Sequence, residues 1–222
     1  MSNRVTTLLF DMDGLMFDTE TVYSRVGQEV LGKRGCEFNL ELKRRVMGLR
    51  LNEVWSYFKN YYQLPDEVSV LVDEARQTYE KYLLADDILK PMPGLMTLLD
   101  QAKKEGLNLI LATASEKKWV DLIFRKFSLQ DYFTGYITSE DVAFGKPHPE
   151  IYQKAVKLAG QKADLCLVLE DSVNGIKSAK AAGCLAAAVP NQYTLGQDFK
   201  EADIVVSSLE DGKLISYIFC DT

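Results

Sequence analysis

Two aspartates, Asp11 and Asp13, follow an apolar, β-leaning stretch at residues 5–10 and precede Gly14. An apolar run without alternation suits a strand buried on both faces of a parallel sheet. Carboxylates at i and i+2 beyond its carboxyl end would both reach the crevice where open α/β sheets bind ligands, and Gly14 lets the backbone turn away. Asp and Gly are also ordinary turn residues, so a capping or turn pair is the competing reading of this stretch alone.

Three later stretches bear on that choice. Residues 107–112 lead into Thr113-Ala114-Ser115, hydroxyls and backbone donors placed to hold an anion near a helix N-terminus, although Ser115 by itself reads as readily as an N-cap. Residues 165–169 lead into Glu170-Asp171, where capping explains one acid more easily than two. Gly145-Lys146-Pro147-His148-Pro149 offers a cation, Lys146, in a loop stiffened by prolines; an isolated loop lysine is ordinarily solvated, whereas this one has its position set. His148, between the prolines and outside the acids, is read as structural. If Asp11, Asp13, Glu170 and Asp171 converge, they repel one another and any phosphate unless a cation is present. Oxygen donors without His or Cys point to a hard ion, and Mg²⁺ characteristically combines carboxylates, water and substrate phosphate.

The elements that must position these residues can be read from periodicity. After Gly14 the pattern turns helical. Asp18 can cap a helix with Val22, Tyr23, Val26 and Val30 on one stripe, and Asn39 a short one stopping at Gly48. Val54, Trp55, Phe58, Tyr61 and Tyr62 mark a third helix. Pro65 is expected to open a fourth, with Val68, Leu71, Val72, Ala75, Tyr79, Tyr82 and Leu83 on one face. Pro91-Met92-Pro93-Gly94 closes this unit with a stiff joint. Helices and strands then alternate: helix to Gly106, strand 107–112, helix around 119–127, strand 135–138, helix 149–159, strand 165–169, helix 173–182, strands 185–189 and 204–206. Such alternation predicts an α/β fold, a Rossmann-like doubly wound parallel sheet. The expected domains are a catalytic core of 1–15 and 91–222 and an inserted all-helical cap of 16–90.

A chain of 222 residues, 47% apolar and 26% charged, is that of an ordinary globular protein. Its net charge of −6 disfavours nucleic-acid or anionic-membrane surfaces. Cys36, Cys166, Cys184 and Cys220 are scattered, so neither a zinc site nor a disulfide framework is suggested. No signal pattern or membrane-length apolar run is present, which makes a cytoplasmic location the default. A monomer is expected.

Asp11-Met12-Asp13-Gly14, Thr113-Ala114-Ser115, Gly145-Lys146-Pro147 and Glu170-Asp171, in this order, resemble the four motifs of the haloacid dehalogenase superfamily. With helices inserted directly after the first motif, the whole chain resembles the β-phosphoglucomutase-like branch, whose members carry a small helical cap over a Rossmann-like core. The resemblance implies that Asp11 is the nucleophile and that Asp13 protonates the leaving oxygen, then takes a proton from water. It implies that the Asp11 carboxylate, the Asp13 carbonyl and Asp171 hold Mg²⁺, with Glu170 helping directly or through water. Thr113 or Ser115, the Ala114 amide and Lys146 would hold the phosphoryl oxygens. Dehalogenase relatives lack the second acid.

Gly48-Leu49-Arg50 resembles a cap segment in which Arg50 would bind the substrate's non-transferring part; a surface arginine is the competing reading. Asp18-Thr19-Glu20 would sit at the cap hinge with Glu20 near the substrate mouth, and helix capping is the alternative. The implied activity is a Mg²⁺-dependent phosphatase acting on a small phosphorylated metabolite, such as a sugar or nucleoside phosphate. A phosphomutase is the second reading, set against by Tyr23 standing where the mutase has a histidine. A catalytically silent binding protein is the third, set against by the intact acids.

Overall fold

Strand β1 (Thr7–Phe10) is buried along its whole length, as an unalternating apolar run must be when helices cover both faces of a sheet. The computed structural model describes residues 5–46, 49, 51–85 and 88–220, without the Arg44 side chain. β1 is the centre of a six-stranded parallel sheet with β2 (Asn108–Ala112), β3 (Gly135–Ile137), β4 (Cys166–Glu170), β5 (Leu185–Ala188) and β6 (Ile204–Val205). The order β3-β2-β1-β4-β5-β6 is doubly wound: the chain travels outward from β1 to one edge, then returns to its other side for β4. β1 pairs in register with both neighbours, Phe10 lying level with Leu111 and with Leu169. Asp11, Ala112 and Glu170 therefore leave the sheet side by side at its carboxyl edge.

On one face, Leu9, Ile110, Val168 and Ala186 pack with Ile151, Tyr152 and Ala155 of helix α7 (Glu150–Ala159) and Ile176 and Ala179 of α8 (Val173–Ala181). Numbering follows the chain: α1 (Thr19–Gly32), α2 (Leu40–Val46), α3 (Leu51–Tyr62), α4 (Val68–Leu84), α5 (Leu95–Lys104), α6 (Lys117–Phe127) and, last, α9 (Gly212–Phe219). Cys166 and Cys184 are buried free thiols, whereas Cys220 is exposed. No helix among the described residues is long and apolar enough to cross a membrane.

The chain separates into two compact units, 1–18 with 90–222, and 19–89. The sequence placed the division at 15/16 and 90/91. Residues 16–18 stay with the sheet because Met92 N donates to Met16 O at 2.8 Å and Asp18 N to Lys90 O at 3.2 Å, while the Phe17 ring packs on Phe127. The helical unit contains α1–α4. Val22, Val26 and Val30 of α1 and Leu71, Val72, Ala75 and Leu83 of α4 are buried, and Arg34 grips both Asp66 oxygens at 2.7 and 3.1 Å. Asn39 caps α2 by accepting from Leu42 N, as its position predicts. Pro65 does not open α4: the helix starts at Val68, after an extended Glu67. The periodicity also left out α9, whose Leu214 and Ile218 are buried and whose N-cap, Asp211, accepts from Lys213 N.

The joint entering α5 is tightly constrained. Gly94 has φ +84°, and a Cβ there would lie 2.5 Å from the Glu210 backbone nitrogen. Backbone cannot swing aside as a side chain can, so Gly94→Ala combines left-handed strain with overpacking, about 1–3 kcal/mol. Thermal denaturation should show a melting point lowered by about 3–10 °C for a chain this size. Gly32→Ala, with nothing within 4 Å of its Cβ, should leave it unchanged or slightly raised.

Candidate active site

The carboxyl edge of the sheet assembles the four sequence motifs within the core unit. Asp11 follows β1 directly, and its backbone N donates to Leu169 O, which extends the β1–β4 ladder by one residue and fixes its direction. Lys146, reaching in from the loop before α7, donates to Asp11 Oδ1 at 2.5 Å, Glu170 Oε1 at 2.6 Å and Ala112 O at 3.2 Å. All three ammonium protons are thereby used. The lysine is not a solvated surface residue; it joins the ends of β1, β2 and β4.

Glu170 is the last residue of β4 and is 1% exposed. Its Oε1 accepts from Lys146 and from the Tyr152 hydroxyl at 2.9 Å; its Oε2 accepts from Ser172 N at 3.1 Å and Ser172 Oγ at 2.9 Å. Four donors fill the lone-pair positions of one carboxylate. The carboxylate lies against the first turn of α8, where Gly175 supplies the room: a Cβ there would come within 1.8 Å of Glu170 Cδ. Ser172 also caps α8 by accepting from Gly175 N. Tyr152, Ser172 and Gly175 were not singled out in the sequence, where Tyr152 falls within the helix expected at 149–159.

Asp13 is held by the segment after β2. Its Oδ2 accepts from Ser115 Oγ at 2.7 Å and Thr113 Oγ1 at 3.2 Å, while Thr113 Oγ1 accepts from Ser115 N. Ser115 is not a helix cap, since α6 begins at Lys117 behind Glu116. Asp13 Oδ1 is buried without a hydrogen-bond partner, an arrangement costly for a carboxylate unless the oxygen has work to do.

Asp171 stands beside this group, and its Oδ2 accepts from Asn191 Nδ2 at 2.7 Å. The site holds more acid than Lys146 can neutralise. Burial pushes the Asp11 carboxyl up to about 7 against the pull of Lys146, and burial with the charges of Glu170 and Asp11 pushes Asp171 up to about 9. For Lys146, burial works against the charge, yet Asp11 and Glu170 hold its pKa well above the ordinary lysine value. A bound cation would supply the missing charge. Asp11, Glu170 and Asp171 present carboxylate oxygens within 4.8 Å of one another, a donor set suited to a hard ion. Because Glu170 is already saturated, Asp11 and Asp171 are the members with capacity to spare.

The structure thus brings Asp11, Asp13, Thr113, Ser115, Lys146, Glu170 and Asp171 together, with Ala114 between the two hydroxyl residues. Glu20 belongs to the helical unit, where Lys43 Nζ lies 2.9 Å from its carboxylate. Arg50 and Gly48 lie outside the described residues. His148 is exposed, accepts from Glu150 N and packs on the Phe144 ring.

The chain has known relatives. A family model described as haloacid dehalogenase-like hydrolase matches residues 8–189. The putative phosphatase YhcW of Bacillus subtilis is 32% identical over 95% of this chain and 94% of its own length. Hexitol phosphatase B of Escherichia coli is 28% identical over 94% of each. The crystal structure of a putative beta-phosphoglucomutase from Thermotoga maritima superposes with a TM-score of 0.80 at 25% identity, covering 96% of each chain. With the ordered motifs, the doubly wound sheet and this match over most of its length, the chain belongs to the haloacid dehalogenase-like hydrolases.

Proposed function

We propose that this protein is a Mg²⁺-dependent phosphatase of small phosphorylated metabolites, such as sugar or nucleoside phosphates, working through an aspartyl phosphate on Asp11. The observation that carries the reading is Asp13: a second carboxylate two residues from the nucleophile, anchored through Oδ2 by Ser115 and Thr113 and keeping Oδ1 uncommitted. A carboxyl oriented by one oxygen and open at the other suits proton transfer.

In the first half-reaction an Asp11 oxygen attacks phosphorus, and the bond to the ester oxygen breaks as Asp13 delivers a proton to that oxygen. In the second, water attacks the same phosphorus, Asp13 takes its proton, and the acyl phosphate P–O bond breaks to return Asp11 and free phosphate. Lys146 keeps Asp11 oriented; with the Ala114 amide and the Thr113 or Ser115 hydroxyl it would hold the transferring oxygens once the phosphoryl group takes the place of one of their present acceptors. Mg²⁺, held by the Asp11 carboxylate, the Asp13 carbonyl and Asp171, would neutralise charge between carboxylates and phosphoryl group. Glu170, with its lone pairs taken, serves chiefly to fix Lys146. Substrate choice would rest on the helical unit as a cap, with Glu20 and Arg50 as the candidate contacts.

The likeness to a putative beta-phosphoglucomutase keeps a phosphomutase as the second reading. The Tyr23 ring is stacked on Tyr79 at 4.8 Å, a packing role in place of the mutase's histidine. Phosphatase activity is therefore the expectation.

Four measurements test these assignments. A screen of phosphorylated metabolites should release phosphate with Mg²⁺, stop in excess chelator and resume on adding Mg²⁺ back; full activity in chelator would remove the metal. Within that screen, β-glucose 1-phosphate with catalytic glucose 1,6-bisphosphate should yield phosphate faster than glucose 6-phosphate, and the reverse order replaces phosphatase by mutase. Asp11→Asn should abolish turnover and phosphoenzyme labelling in a folded protein. Asp13→Asn should slow phosphoenzyme formation from a sugar phosphate by about 10²–10⁴-fold, but from p-nitrophenyl phosphate far less, because nitrophenolate leaves without a proton. Equal losses would contradict the role of Asp13.

A further inference from the structure

Asn191 stands just beyond β5, where Val189 N donates to Glu170 O at 2.7 Å and so carries the β4–β5 pairing to the level of Asp171. Its amide is oriented by the turn that it opens. Oδ1 accepts from Tyr193 N at 2.8 Å and Thr194 N at 3.3 Å, and the Asn191 backbone N donates to Thr194 Oγ1 at 3.0 Å. With the oxygen committed to these two backbone donors and to the Thr194 hydroxyl at 3.5 Å, Nδ2 must face the other way, and the network fixes that assignment. Its two protons go to Asp171 Oδ2 at 2.7 Å and Gly14 O at 3.0 Å. Gly14, at φ +81°, approaches so closely that a Cβ would fall 2.5 Å from Asp171 Oδ2 and 2.7 Å from Asn191 Nδ2.

We infer that Asn191 is a positioning residue that holds Asp171 and the loop carrying Asp11 and Asp13 in one fixed relation for cation binding. The inference rests on the cation reading given under Proposed function. Lys146 is committed to Asp11 and Glu170, and among the described residues no salt bridge is made to Asp171. A neutral amide is the donor that suits this place. It fixes the carboxylate's rotamer through one oxygen without neutralising its charge, leaving that charge for the ion; an ammonium or guanidinium there would compete with the ion. Partners one step removed from a metal typically govern affinity by about 10–100-fold.

The test is a Mn²⁺ titration of the whole protein, with free ion counted by electron paramagnetic resonance, so the readout does not depend on turnover. Wild type should bind Mn²⁺. Asn191→Ser, which retains an oxygen for the turn but cannot reach Asp171, and Asn191→Ala should both bind at least about ten-fold more weakly, with kcat largely recovered at saturating Mn²⁺. Thr194→Val removes the hydroxyl that accepts from Asn191 N and donates to Asn191 Oδ1 at 3.5 Å; it keeps the two backbone donors to Oδ1 and both Nδ2 bonds, and should bind like wild type. Wild-type affinity in a folded Asn191→Ser or Asn191→Ala protein overturns the inference, as does equal weakening in Thr194→Val, which would mean that turn structure alone matters. If wild type itself binds no Mn²⁺, the cation reading fails first and the inference falls with it.

Discussion

The rest of the site depends on Lys146 between Asp11 and Glu170. Three parallel strands end side by side at that point, and each end brings a carbonyl or carboxylate. Without a cation among them the acids would either protonate or push the strand ends apart. Lys146 donates to the ends of β1, β2 and β4 at once. A buried lysine with three partners is a hub, and removing it would leave Asp11 and Glu170 buried without charge compensation. Its own position is secured from behind by Tyr152, whose hydroxyl shares the Glu170 oxygen and whose ring lies 5.0 Å from Nζ.

The acids around this hub divide by what donates to them. Glu170 receives a charged donor, a phenol, a hydroxyl and a backbone amide, which together fill its lone-pair positions. Asp13 receives two hydroxyls on one oxygen and nothing on the other. Asp171 receives a neutral amide on one oxygen. These are three carboxylates made different by neighbours: one with every lone pair taken, one held through a single oxygen by hydroxyls, and one held through a single oxygen by an amide. The division follows from which donors each strand end meets.

Much of this was legible in the sequence because parallel strands write their function at their carboxyl ends. The apolar runs before Asp11, Thr113 and Glu170 locate the strand ends, and register then makes residues distant in the chain into neighbours. The partners of the acids were not legible. Tyr152 has the spacing of an ordinary core residue, Gly175 is one glycine in a helix, and Asn191 lies in a turn whose composition explains it without any reference to Asp171. Periodicity reports which face is buried, not which polar atom on that face finds a donor. α9 carries the helical period, Leu214 and Ile218 buried four residues apart, and was left out of the reading; the start of α4 was misplaced because Pro65 is compatible with a first turn that the chain delays to Val68.

The helical unit shows why substrate choice is harder to read than reaction type. In the core, chemistry demands carboxylates, hydroxyls and a lysine at strand ends, and few residue types satisfy it. In the helical unit the same residue types serve packing. Tyr23 stacks on Tyr79; Lys43 is buried and meets the Glu20 carboxylate, the Glu20 carbonyl and Ser24 Oγ, which would hold α1 and α2 together with no ligand at all. A glutamate paired with a buried lysine is accounted for by the packing of its own unit, so its residue type alone does not mark it as a substrate contact, whereas an aspartate at a buried strand end has no such packing role to explain it.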